Sequence, residues 1–288
     1  MKIYSFFVSS MLVCVLGCVS CQEEVIKDAA ESYPYTFSGF EVSYGSIDEL
    51  TRGIEAESFS LLAVDVVDDE YVQSVSRLSD PSALSSVTLD LTLGAHKIYF
   101  VCAAKPWNSF DEAALMVHWN KQNELGETWG AVIDLQVEGA AQEPVDVSLK
   151  RIVTYARTQM NDVLPASLSK VGLDLMGGSW SYNLLQQSGG TPSAVSRVIS
   201  VPSSYIGQQQ VIFGIYSFVP EGVTQSPLFT VTAYDATDQV IASHSFENVQ
   251  MKANQFVLYQ GQFFTPQSSS NAFQFYLDDQ WMEKFENY

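Results

Sequence analysis

The clearest signal along the chain is an alternation in which Val87, Leu89, Leu91 and Leu93 are interleaved with Thr88, Asp90 and Thr92. A period of two predicts a half-buried strand, because successive side chains of an extended chain point to opposite sides. Upstream, Phe59, Leu61 and residues 63–67 form an apolar run closed by Asp68, Asp69 and Glu70, a second strand signal. Downstream, Gly94-Ala95 punctuates the pattern and residues 96–104 predict a more buried strand ending at Pro106. The strands on either side of Gly94 read as a hairpin. One helix is predicted: Ser109 as N-cap, with Glu112 three residues on, forms a capping box ahead of Ala113, Ala114, Leu115, Met116 and Val117, ending near Asn120.

Strand patterns resume at residues 131–137 and 145–160, the latter so long that it needs a bend or crosses from one domain to the next. The expected boundary is residues 162–169, around Leu164-Pro165. Beyond it come strand-like segments at 171–175, 180–185, 194–201, 211–219, 228–234, 240–246, 255–264 and 272–277. Turn-rich stretches separate them, among them Gly177-Gly178, Gly189-Gly190, Pro202 and Asp235-Ala236-Thr237-Asp238. Regularly spaced strands with almost no helix predict an all-β fold of sandwich type. The expected division is a β-sandwich domain at 34–161, carrying the one short helix, and a second at 162–288.

The chain start follows a different logic. Lys2 supplies a short positive region, and residues 3–16 are predominantly apolar with Ser5, Ser9 and Ser10 as interruptions, the pattern of a signal peptide. At about 14 residues the run falls short of the roughly 20 that a spanning helix needs. Three of the four Cys, Cys14, Cys18 and Cys21, lie in or just after it, where a lipoprotein signal explains them better than a disulfide framework or a zinc site. Gly17-Cys18 and Ser20-Cys21 both place a small residue before a Cys, and Cys21 is favoured because Gln22, Glu23 and Glu24 follow at once. The expectation is a signal peptide over 1–20, lipidation at Cys21, and a polar tether over 21–33. Cys102 is then expected to be a buried, inert thiol.

Composition narrows the function. Lys plus Arg number 14 against 33 Asp plus Glu in 288 residues, a net charge of -19, so a partner presenting a phosphate backbone is excluded. With 47% hydrophobic and 16% charged residues the chain is too apolar for disorder and too sparsely charged for a long coiled coil. The three His, His96, His118 and His244, lie far apart and without a Ser, Cys or carboxylate at relay spacing. The acidic groups Asp65, Asp68, Asp69, Glu70 and Asp278, Asp279 lack EF-hand spacing and read as solvated strand ends. Glycine-rich phosphate loops, G-x-S-x-G, C-x-x-C and H-E-x-x-H are all absent from the sequence. No catalytic residue, metal or cofactor is therefore expected. Of the five Trp, Trp107 and Trp180 lie beside loop residues and are the candidates for stacking on sugar rings.

From Thr51 onward the chain resembles the fimbrillins, subunits of type V pili. The resemblance is carried by Thr51-Arg52 ahead of the first long strand, by Leu93-Gly94-Ala95-His96-Lys97-Ile98-Tyr99-Phe100-Val101, by Leu149-Lys150-Arg151-Ile152-Val153, and by residues 254–264 from Asn254 through Gly261 to Phe264. It implies transthyretin-like β-sandwiches in a non-enzymatic adhesin or pilus subunit, exported as a lipoprotein to the outer membrane and cell surface. It also implies an arginine-specific protease, whose site maps to Arg52 with Arg77 as runner-up. Cutting there would remove the first strand and open a groove for a strand of another fimbrial subunit, self or related. The donor strand maps to the C-terminal region, where Phe273, Phe275 and Leu277 alternate with Gln274 and Tyr276. The alternative function is a surface glycan-binding lipoprotein of a polysaccharide-uptake system.

Overall fold

The computed structural model describes residues 31–42, 45–46, 59–79, 86–121, 124–141, 143–265 and 273–278. Cys18, Cys21, Arg52, Asp279 and Trp281 lie outside the described residues, as do residues 1–20, expected to be a signal peptide, and most of the expected tether. The described strands belong to one compact unit.

Strand β1 (Ser32–Val42) pairs antiparallel with the two-residue β2 (Gly45–Ser46) at its end. Next come β3 (Phe59–Val67) and β4 (Glu70–Ser79), joined by a tight turn in which Asp68 and Asp69 both have positive φ, 53° and 63°. That pair of left-handed residues is what a two-residue hairpin turn needs to match the strand twist, and Asp tolerates it. β5 (Ser86–Thr92) and β6 (Gly94–Ala103) follow, then the short β7 (Ser109–Asp111) and β8 (Met116–His118), then β9 (Thr128–Val137) and β10 (Val145–Arg151). One sheet runs β5-β1-β10. The other runs β9-β6-β3-β4, and β10 joins the two by pairing Lys150 and Arg151 with Gly130 and Trp129. Between them lies an apolar core in which Tyr35, Phe37, Val87, Leu89, Leu91, Val147 and Leu149 meet Phe59, Leu61, Ala63, Ile98, Phe100 and Cys102.

The opposite faces of β3 and β6 are covered as well. Leu62, Val64, Val66, Tyr99, Val101 and Ala103 pack with Leu115, Val117, Trp119, Tyr182, Leu184 and Phe218. This double covering is why residues 59–67 read as an unbroken apolar run, whereas β5, with one face in solvent, alternates.

β11 (Val153–Met160) follows β10 after Ile152 alone, so the long 145–160 segment is a strand pair that passes from one sandwich into the next. The remaining strands are β12 (Lys170–Gly178), β13 (Ser181–Asn183), β14 (Ser188–Gly189), β15 (Ser193–Ser200), β16 (Val211–Phe218), β17 (Gln225–Tyr234), β18 (Val240–Gln250), β19 (Phe256–Gly261) and β20 (Gln274–Asp278). They form the sheets β16-β11-β19-β20 and β15-β12-β17-β18, with Ala156, Met160, Phe213, Ile215 and Val257 of the first facing Val171, Leu173, Leu175, Phe229 and Val231 of the second. All the segments expected beyond residue 170 contain strands. The architecture is all-β and of sandwich type.

Two local expectations are corrected. Residues 109–120 are not a helix but the β7–β8 hairpin: Ser109 pairs with His118 and Asp111 with Met116, and the Asp111 carboxylate accepts the Ala114 N–H at 3.0 Å. Leu115 at φ 49° closes the turn, which lets its side chain reach the core shared with Tyr182 and Phe218. Tertiary burial overrides the capping-box preference here. Nor do β5 and β6 form a hairpin. β5 pairs with β1, β6 pairs with β3 and β9, and the chain crosses between sheets at Gly94, whose φ of 129° suits only glycine.

Candidate functional site

β1 occupies a slot with a wall on each side. It runs antiparallel to β5 from Ser32↔Thr92 to Ser38↔Ser86 and parallel to β10 from Phe37↔Val145 to Val42↔Leu149. Tyr33, Tyr35 and Phe37 point inward at every second position; the register then shifts at Gly39 (φ 59°) and Phe40 is buried in turn. A side chain at Gly39 would also meet the Asp146 carboxylate, since a Cβ there lies 2.7 Å from Oδ1. Phe37 and Phe40 both set their edges against Phe100, with centroids 5.2 and 5.6 Å away, and the Tyr35 hydroxyl donates to the Gly139 carbonyl at 2.8 Å. Burying such a side chain contributes about 1.5–3 kcal/mol, in addition to the ladders that β1 makes with β5 and β10. With β1 gone, β5 and β10 would each present an unpaired edge beside an open apolar core.

At the other end of the chain β20 pairs antiparallel with β19, from Phe256↔Asp278 to Gln260↔Gln274, as the last strand of its sheet. Phe273, just before it, sits among His244, Phe246 and Phe263 with ring centroids 4.9, 5.0 and 6.4 Å away. Phe275 touches Tyr259 at 5.3 Å but remains 48% exposed, as does Tyr276, with Leu277 at 41%. β20 is thus a short edge strand with three large side chains exposed. The segment leading to it is anchored by Asp162, whose carboxylate accepts the N–H groups of Phe263, Phe264 and Thr265 at 2.8, 2.6 and 2.9 Å. Burial alone would raise the Asp162 carboxyl, but these backbone donors outweigh it and hold it below the usual carboxylate range.

The other expected residues fall in distinct places. Arg77 lies within β4, paired with Leu61, and its Nη1 donates to the Ser86 carbonyl at 3.2 Å. Trp107 is half-buried with its ring edge on Trp119 at 6.4 Å. Trp180 is half-buried too, its indole N–H donating to the Ala194 carbonyl at 3.2 Å, and its own carbonyl accepts the Trp119 N–H at 2.8 Å. Both therefore flank the buried Trp119 and spend part of their surface on the core. Cys102 is buried and free, and burial pushes its thiol up to about 12, so it carries no nucleophilic chemistry.

Asp65 is not the solvated strand end its acidic neighbours suggested. It is fully buried, and its Oδ1 meets Nδ1 of buried His96 at 2.8 Å. A separation of 31 residues hid the pair from any spacing argument; only the adjacency of β3 and β6 brings it together. Asp68, Asp69, Lys97, Asp134 and Gln136 line a cavity of about 530 Å³ beside His96. The Tyr99 phenol is pushed up by burial and then by Asp69 and Asp134. Among the described residues no cluster of His, Cys, Asp or Glu is arranged to hold a metal ion, and no helix is long and apolar enough to cross a membrane.

Fold and site together define an all-β protein of sandwich type in which β1 lies between β5 and β10. The fold is shared with a candidate cell adhesion protein from Bacteroides eggerthii, with a TM-score of 0.52, 9% identity, and coverage of 87% of this chain and 97% of that one. It is shared also with a candidate cell adhesion protein from Parabacteroides distasonis, at a TM-score of 0.51, 8% identity, and coverage of 88% and 100%. A candidate adhesin from Bacteroides ovatus matches at a TM-score of 0.50 and 10% identity over 84% and 96%. At these identities the likeness is one of fold. No protein-family model and no curated protein sequence matches the chain.

Proposed function

We propose that this chain is a non-enzymatic adhesin-type subunit of the cell surface, lipidated at Cys21, anchored in the outer membrane, and joined to fimbrial subunits by strand exchange after cleavage at Arg52. The observation that carries the reading is the place of β1. It lies between β5 and β10, it precedes Arg52 in the chain, and its inward residues Tyr33, Tyr35 and Phe37 have the same two-residue spacing as Phe273, Phe275 and Leu277. A strand offering three large apolar side chains at that spacing can refill the slot and restore both ladders. Arg77, by contrast, sits in a paired strand, where a protease cannot draw the backbone into its cleft. The fold shared with candidate adhesins agrees with this reading.

Limited trypsin treatment of the soluble precursor tests it. Cutting after Arg52 should yield heat-resistant oligomers, while uncut protein stays monomeric. Arg52→Ala should block oligomers before the cut, and deletion of residues 273–288 should block them after it. Oligomers forming equally well from both variants would remove the strand-exchange reading.

A further inference from the structure

We propose that residues 279–288, the segment that follows β20, fold back as a short amphipathic helix over the outward face of the sheet β16-β11-β19-β20 and clamp β20 to it. That face is built by alternation. Ala156 and Met160 of β11 point into the core, so Tyr155, Arg157 and Gln159 point out. Strand pairing then lines up two outward rows across the sheet, Asp278, Phe256, Tyr155 and Tyr216 in the first and Tyr276, Leu258, Arg157 and Gly214 in the second.

The planar groups of these rows form a continuous stack. Tyr155 and Tyr216 lie face to face, with centroids 4.1 Å and planes 9° apart. The Arg157 guanidinium carbon lies 4.0 Å from the Phe256 centroid and 5.2 Å from that of Tyr155. Gly214 makes room for the stack, since a Cβ there would lie 2.5 Å from the Tyr155 ring. Tyr155, Tyr216, Phe256 and Leu258 are each half-buried, and Arg157 is only 5% exposed although it points away from the core. A guanidinium with a ring on each face presents its N–H groups at its edge, and one so far out of water requires an anion there.

The segment leaving β20 carries both an apolar stripe and the anions. Trp281, Met282, Phe285 and Tyr288 stand at i, i+1, i+4 and i+7, one side of a helix, whereas a strand would divide them between two faces. Asp279, Glu283 and Glu286 outnumber Lys284 in the same stretch. Its starting point fits as well: Asp278, the last residue of β20, pairs with Phe256, so the segment begins at the edge of the first row. Ten helical residues span about 15 Å, and the three strand spacings from β20 to β16 come to about 14 Å. A second copy on this face would have to overcome the repulsion between two chains of net charge -19, whereas the segment is delivered by the strand it adjoins.

Hydroxyl-radical footprinting of the uncut full chain, read by mass spectrometry, tests the clamp, and its outcome does not depend on strand exchange. In the native chain Trp281 and Met282 should be oxidised severalfold more slowly than after unfolding in urea. In a chain stopped at Asp278, Tyr155 and Tyr216, which lie two and three strands away from β20, should be oxidised severalfold faster than in the full chain. Val198 and Val240, exposed on the other sheet, should be unchanged. Trp281 and Met282 as reactive in the native as in the unfolded chain, or Tyr155 and Tyr216 indifferent to the loss of 279–288, overturns the proposal. Protection of the face that persists in the stopped chain and grows with protein concentration overturns it too, and assigns the face to a second copy. Should the stopped chain fail to fold, Trp281→Ala combined with Phe285→Ala in the full chain takes its place.

Discussion

Asp162 shows how one side chain can fix a segment a hundred residues away. Its carboxylate satisfies the N–H groups of Phe263, Phe264 and Thr265, which lead out of β19 toward β20. Each buried N–H left without an acceptor costs roughly 1–3 kcal/mol, so Asp162→Ala should lower the unfolding free energy by at least that amount in urea titration. Because the folded carboxyl is depressed, its contribution is present at neutral pH and is lost as pH falls through the folded value; the deficit of Asp162→Ala should shrink in strong acid. The half-buried tryptophans give a second residue-scale test. Trp107→Ala and Trp180→Ala should cost stability through the core around Trp119 and leave the retention of soluble polysaccharide in pull-down assays unchanged. Loss of polysaccharide retention in both, with the fold intact, would favour the glycan-binding alternative. At this scale the strand around Phe273, Phe275 and Leu277 was legible as a strand because its alternation is local. The Asp65–His96 pair was not, because it is made by strand pairing across 31 positions.

At the scale of elements, the strands with one dry face announced themselves. β5 and the eight strand-like segments beyond residue 170 appear close to where alternation and turn residues put them. The errors arose where a neighbour in space decided the outcome. The Ser109 and Glu112 pair favours a helix locally, yet Phe110, Leu115 and Val117 are claimed by a core that includes Tyr182 and Phe218, residues no window of sequence contains together. β4 was missed because Glu70–Ser79, with three Ser and its apolar residues at 71, 72, 75 and 78, has little apolar periodicity; it forms as the partner of β3. Gly189, expected simply as a turn residue, has a tighter role. A Cβ there would lie 2.8 Å from the Pro220 nitrogen and 2.9 Å from the Val219 carbonyl carbon, both backbone atoms. Forced repacking of this kind costs about 1–3 kcal/mol, so Gly189→Ala should lower Tm measurably, whereas Gly207→Ala, where a Cβ meets nothing, pays only the strain of its φ of 83°.

For the whole molecule, what matters is that chain order and sheet order disagree. The first strand, β1, is interior to its sheet, flanked by β5 and β10, while the last described strand, β20, lies at an edge. An interior strand leaves two unpaired walls when it departs, whereas an edge strand leaves one, here that of β19. Sequence pattern conveyed the all-β class and the apolar alternation at 273–277, but it left Ser32 and Tyr33 of β1 in the expected tether and could not convey which strand lies between which, because parallel pairing of β1 with β10 spans a hundred residues. Hydrogen–deuterium exchange on protein cut after Arg52 tests the account most directly. Peptides covering Ser86–Thr92 and Val145–Arg151 should lose protection in the cut monomer when β1 is released and regain it in the oligomer, together with new protection of 273–278. Walls that stay protected after β1 has left, or that stay unprotected in the oligomer, would contradict strand exchange at this slot.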